Sequence, residues 1–176
     1  MSILRYLLTF TLSFAFVFAA GCSDPKPDYS EFYKPEPGDD PVDPINPGLE
    51  DNQLRVMSFN VRYSAGDDGA NSWDNRKKAV PAMFADQQPT VLGVQEARLD
   101  QKTYMDENCA GYKSIGVGRT DGKNAGEFMA IYYLDDAVKL EKWGTFWLSE
   151  TPDTPSVGWD ASTYRTATWA LFTHYK

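Results

Sequence analysis

The sequence predicts an α/β domain beginning near residue 53, on three observations. The run Thr90–Ala97, Thr-Val-Leu-Gly-Val-Gln-Glu-Ala, is apolar, β-branched and too short for a free-standing helix, so it reads as a buried strand ending abruptly in an amide and a carboxylate. An earlier segment of the same design, Leu54–Val61, carries Val56, Met57 and Phe59 ahead of Asn60. Between the two, Ala79, Val80, Met83 and Phe84 fall at helical spacing. Glu96 thus stands at the C-terminal end of a strand, where open α/β sheets place their ligands. Taken alone, Gln95 and Glu96 read equally well as the start of a solvated loop; two strands ending in oxygen donors point instead to one shared polar site.

Residues 1–21 precede the domain and have the texture of an address. Arg5 leads into an apolar stretch, Tyr6 to Ala20, that is shorter than a bilayer span and closes on Ala19-Ala20-Gly21-Cys22. This ending resembles a bacterial lipoprotein signal peptide, with Ala19 where leucine is usual. The resemblance implies an exported protein whose mature first residue, Cys22, bears lipid and anchors it to the bacterial outer membrane or cell surface. An ordinary cleaved signal or a short anchor would equally carry the chain out of the cytoplasm.

Residues 22–52 form an acidic, proline-rich tether. They hold seven of the eleven prolines and nine acids against Lys26 and Lys34, a net of −7. With almost no aliphatic side chain to bury, such a segment stays an extended spacer. Asp39, Asp40 and Asp43 lack the glycine turn and closing glutamate of a calcium loop. The whole-chain charge is −8, and Arg5 adds +1 in the leader, which leaves only −2 for residues 53–176. The domain is therefore nearly neutral, without the basic stripe of a duplex binder.

Within the domain, Leu54–Val61 is the first strand and Arg62–Asn71 a loop punctuated by Gly66, Asp67, Asp68 and Gly69. Ser72 caps a helix that Pro81 bends or interrupts. Strand Thr90–Glu96, a short helix around Gln101–Asn108 and strand Tyr112–Val117 follow. Phe128–Leu134, Val138–Leu148 and Thr166–Thr173 read as strands joined by hairpins and loops. Cys109 has no histidine beside it and reads as structural; with Cys22 lipidated, it would have no disulfide partner. Of the tryptophans 73, 143, 147, 159 and 169, four are expected in the core, while Trp159, between Gly158 and Asp160, is placed to meet a ligand.

Asn60 and Glu96 make chemical sense together around a hard divalent cation. Magnesium takes few protein oxygens and leaves positions for water and phosphate. Arg62, two residues beyond Asn60, could orient Glu96 or meet an anionic oxygen. Gly116–Lys123 reads either as a phosphate cradle with Arg119 and Lys123 or as a turn-rich hairpin.

Five motifs in order carry a resemblance that covers Leu54 to the last residue: Ser58-Phe59-Asn60-Val61-Arg62, Gly93-Val94-Gln95-Glu96-Ala97, Gly126-Glu127-Phe128, Gly144-Thr145-Phe146-Trp147-Leu148-Ser149, and Gly158-Trp159-Asp160 with Arg165. This set resembles the endonuclease/exonuclease/phosphatase (deoxyribonuclease-like) superfamily, most closely its exported bacterial members. The resemblance implies a four-layered α/β sandwich and hydrolysis of phosphate esters, nucleic acid or small phosphodiesters and monoesters, with magnesium, or else manganese or calcium. By position it makes Glu96 the metal ligand and Asn60 a holder of metal or phosphate. Glu127 becomes the acid behind a catalytic histidine and Arg165 the arginine that meets the scissile phosphate. Without the resemblance, Glu127 reads as a solvated turn residue and Arg165 as a cation at a strand edge.

The chain contains a single histidine. The superfamily uses two, in Thr-His-x-Asp and Asp-His motifs, along with a Gly-Asp-x-Asn segment. Thr173-His174-Tyr175-Lys176 imitates the first motif but directly ends a strand, so His174 is expected in a hairpin. The chain is accordingly expected to represent the N-terminal half of a two-halved enzyme and to be inactive or weak by itself. The alternative is a non-enzymatic surface lipoprotein that binds a phosphorylated or glycan ligand.

Overall fold

A computed structural model describes residues 5–9, as backbone, and residues 53–175. Cys22 and the tether lie outside the described residues. Of the segment expected to be a leader, only Arg5–Thr9 is described, as strand β1. The domain follows with β2 (Val56–Asn60), a 3-10 turn (Gly69–Asn71), α1 (Trp73–Arg76), α2 (Ala79–Gln87) and β3 (Val91–Ala97). Next come α3 (Leu99–Asn108), β4 (Tyr112–Ile115), β5 (Phe128–Leu134), β6 (Val138–Trp147) and β7 (Thr166–His174). No helix among the described residues is long and apolar enough to cross a membrane.

Pro81 explains why the expected single helix is two. Its ring would strike the carbonyl of Lys77, so the ladder breaks there. Helix α2 then starts afresh with Pro81 in its first turn, where no backbone N–H is needed. Helix α3 begins two residues earlier than expected because Gln101 caps it, Oε1 accepting from the Arg98 N–H at 3.1 Å.

The strands form two sheets, ordered β2-β3-β5-β4 and β1-β7-β6. β3 is parallel to β2 and antiparallel to β5, so both of its neighbours and both of its faces are covered. Its alternation, like that of β5, sorts side chains between two cores. Leu92, Val94, Phe128, Ala130 and Tyr132 face the helices, where Phe84 of α2 packs edge-on against Tyr112 and Tyr132 at 4.8 and 5.5 Å between ring centres. Val91, Ile131 and Tyr133 face the second sheet and meet Val138, Ala170 and Phe172. The described residues therefore build helices, sheet and sheet, three of the four layers of the expected sandwich. Cys109 is buried in the first core, and that burial pushes its thiol pKa up to about 12, which fits a structural role.

One expectation changes. Only Trp73 and Trp147 are buried; Trp169 is half-buried over Gly144, and Trp143 joins Trp159 in solvent. Trp143 lies on β6, an edge strand of the smaller sheet, where the opposing sheet does not cover it. His174 is the last residue of β7, paired with Val138 of β6.

Candidate active site

The ends of the two parallel strands lie side by side, Asn60 opposite Gln95. Between Val94 and Ala97 the pairing of β3 with β5 slips, so Gln95 and Glu96 form a bulge. Glu96 takes φ +63° there, which re-aims its carboxylate out of the sheet's alternation. Gln95 folds back onto the Gly93 carbonyl at 3.0 Å. Glu96 Oε1 accepts the Asn60 amide N–H at 2.8 Å, and its Oε2 accepts the Tyr63 backbone N–H at 3.4 Å. The Asn60 side-chain oxygen is itself engaged by the Arg62 backbone N–H at 2.8 Å.

Arg62 also has a positive φ, +55°. Such a conformation in a non-glycine residue costs about 1–3 kcal/mol and persists only where the surroundings over-determine it. Two residues that the sequence did not single out do this. Arg76 donates to the carbonyls of Val61, Arg62 and Asn71, a position buried enough that desolvation pulls its pKa down. Gln101, fully buried, donates to the Arg62 carbonyl at 2.9 Å and accepts from the Ser64 N–H at 2.9 Å. Gln101 was detectable as a capping glutamine three residues past Arg98; Arg76 looked like an ordinary surface cation on a helix.

The Arg62 guanidinium is engaged by its own loop. It forms a two-pronged ion pair with Asp68, at 3.1 and 3.0 Å, and that hydrogen bond raises its pKa. The loop 116–123 takes the hairpin alternative. The N–H groups of Gly118, Arg119, Thr120 and Gly122 bond carbonyls of Lys123, Glu127, Ala125 and Gly118, and those of Lys123 and Ala125 bond the Asp121 carboxylate. Those N–H groups are spent within the hairpin, so they make no phosphate cradle.

Arg119 and Glu127 are brought together as a shielded, bidentate pair at 2.8 and 3.0 Å. Glu127 thus braces an arginine where the resemblance implied a histidine. Burial lowers the Arg119 pKa; the charges of Glu127 and Glu96 oppose that shift and Arg165 adds to it. The guanidinium accordingly feels both the bulge carboxylate and the arginine at the entrance to β7. Trp147 ties this corner down, its ring N–H donating to the Arg119 carbonyl at 2.7 Å, and the Arg165 carbonyl accepts from Leu148 N–H at 2.8 Å. His174 falls at the other end of the same sheet, beyond reach of Glu96.

A hard cation would find few protein ligands at this corner. Among the described residues no cluster of three acidic, histidine or cysteine side chains exists to cage one. Glu96 offers one accessible carboxylate, while Asn60 turns its amide nitrogen, not its oxygen, toward Glu96. That set fits a magnesium held by one carboxylate and otherwise by water and substrate oxygens, with Asn60 orienting the ligand.

The fold and this corner define a layered α/β sandwich with an acidic oxygen site at the ends of its parallel strands. No family model and no curated protein matches the chain. Among solved structures it is similar to a mannosyl-6-phosphatase of Bacteroides thetaiotaomicron, at 43% identity and a TM-score of 0.66, over 68% of this chain and 46% of that one. An endonuclease/exonuclease/phosphatase family protein of the same organism shares 42% identity, TM-score 0.67, over 69% and 44% of the two chains. One from Bacteroides vulgatus shares 34%, TM-score 0.65, over 69% and 51%. The chain belongs to the endonuclease/exonuclease/phosphatase family. It spans about half the length of these solved relatives.

Proposed function

We propose that this chain contributes the substrate- and metal-holding half of a phosphate-ester hydrolase. The observation that carries the proposal is Glu96, held on a bulge at φ +63° and braced by Asn60. Glu96 would hold magnesium, or manganese or calcium in its place, and Asn60 would orient it. A divalent cation there would take up the charge that develops on a phosphate ester. Arg165, exposed and facing the same corner, would bind the nonbridging oxygens, and the Arg119–Glu127 pair would shape the pocket wall. The 43% likeness to a mannosyl-6-phosphatase supports a sugar phosphomonoester as substrate. A lipid on Cys22 would hold the domain at the outer membrane or cell surface through the 22–52 tether.

By itself the chain is proposed to turn over weakly, because its single histidine lies away from Glu96 and no general base stands beside the described site. The same observation favours a second reading, a surface lipoprotein that binds a phosphorylated glycan without cleaving it. The test is calorimetric titration with magnesium, alongside hydrolysis of p-nitrophenyl phosphate and bis-p-nitrophenyl phosphate, by the chain and by Glu96→Ala. Binding lost in the variant, with little turnover in either, is the expected result. Rapid turnover by the chain overturns the weak-activity proposal, and magnesium binding unaffected by the substitution overturns the assignment of Glu96.

A further inference from the structure

The β6–β7 loop carries the most exposed large apolar side chain among the described residues, Trp159, with 64% of its surface in solvent. It is held there. Trp159 and Asp160 take successive positive φ values, +53° and +64°. Gly158 packs so tightly against Ser149 that a Cβ would come within 2.5 Å of its Cα. Ser156 ties the loop to Ser149 and Thr151 through hydroxyl bonds of 2.5 and 2.8 Å. A large ring presented to water by a braced turn is placed to meet something flat and partly apolar.

The loop's two ends lie at the site. Leu148 and Arg165 are joined by a backbone hydrogen bond, and Trp147 bonds the Arg119 carbonyl. Between Ser149 and Tyr164 there are three acids, Glu150, Asp153 and Asp160, and no lysine or arginine. That charge opposes a polynucleotide backbone. It suits hydroxyl donors, since exposed carboxylates accept them.

We infer that Trp159 is the stacking platform for the sugar ring of a phosphorylated monosaccharide whose phosphate lies toward Glu96 and Arg165, with Asp160 accepting ring hydroxyls. The inference rests on the phosphoester reading and deepens it.

The experiment titrates the 176-residue chain, in magnesium, with inorganic phosphate, mannose 6-phosphate and adenosine monophosphate, and repeats the series with Trp159→Ala and Trp159→Tyr. The chain is expected to hold mannose 6-phosphate more tightly than phosphate. Trp159→Ala should lose about tenfold for the sugar phosphate alone, the order an aromatic stack contributes, and Trp159→Tyr should restore most of it. Equal losses for phosphate and sugar phosphate, or none, overturn the platform while leaving the phosphoester reading intact. A stronger preference for adenosine monophosphate that depends on Trp159 overturns the sugar assignment. No binding of any of the three by the parent chain overturns both.

Discussion

At Glu96 a single hydrogen bond decides what the carboxylate can do. The Asn60 amide donates to Oε1 at 2.8 Å and so fixes the carboxylate without adding charge. Replacing Asn60 by Asp sets two carboxylates at that distance. The variant is expected to lose about 1 kcal/mol without metal, a modest cost because the pair is solvent-exposed. It should recover that stability in millimolar magnesium and bind the ion more tightly than the parent, since two carboxylates now converge. Thermal melts with and without magnesium check this. A variant that melts like the parent in the absence of metal would show that the two side chains are not in contact. Asn60 and Glu96 were both legible from sequence, each a polar residue closing an apolar strand. That the Asn60 amide nitrogen faces Glu96 was not, because amide orientation depends on the Arg62 backbone N–H, which claims the oxygen only once the chain turns left-handed there.

The elements that hold the site differ from those that compose it. Gln101 sits on α3 yet satisfies three backbone groups on two loops, those of Arg98, Arg62 and Ser64. Gln101→Ala leaves those groups unpaired in the interior and is expected to cost roughly 2–4 kcal/mol, read as a lower urea midpoint. The 62–64 turn should loosen with it, so magnesium affinity falls although no ligand was removed. A second element-scale prediction concerns the 118–125 hairpin. Backbone N–H groups of Ala125 and Lys123 hold the Asp121 pKa below the ordinary carboxylate value of 3.8. A depressed acid stabilises the hairpin above 3.8 and releases it as pH falls below. On acid titration the amide resonances of Lys123 and Ala125 should therefore shift together, with a midpoint under 3.8; a midpoint above that value would contradict the bonding. Strand and helix identities were legible because apolar spacing records them directly, as at Phe128–Leu134, which the structure matches residue for residue. The hairpin at 116–123 remained open between two readings, because only the closed pattern of N–H bonds excludes a phosphate cradle.

Across the whole molecule the sandwich has two unlike ends, and the last prediction follows from which residues lie at each. Asn60, Glu96, Glu127, Arg119 and Arg165 gather where β2 and β3 end and where β5 and β7 begin. At the opposite end, Ala137 closes a turn on Leu134 and accepts the Tyr175 N–H, beside the Val138–His174 pair. The seven residues of β5 separate these ends, roughly 20 Å at the strand rise per residue. An imidazole that far from Glu96 cannot exchange a proton with a substrate held there, since general catalysis needs direct hydrogen-bond reach or one bridging water. His174→Ala should therefore leave magnesium affinity unchanged and alter any residual phosphate-ester turnover by less than about twofold. Its pH–rate profile should superimpose on that of the parent chain. If His174 acted in the chemistry, the parent would show an inflection that vanishes in the variant, and the placement of the site at the Glu96 end would have to be abandoned.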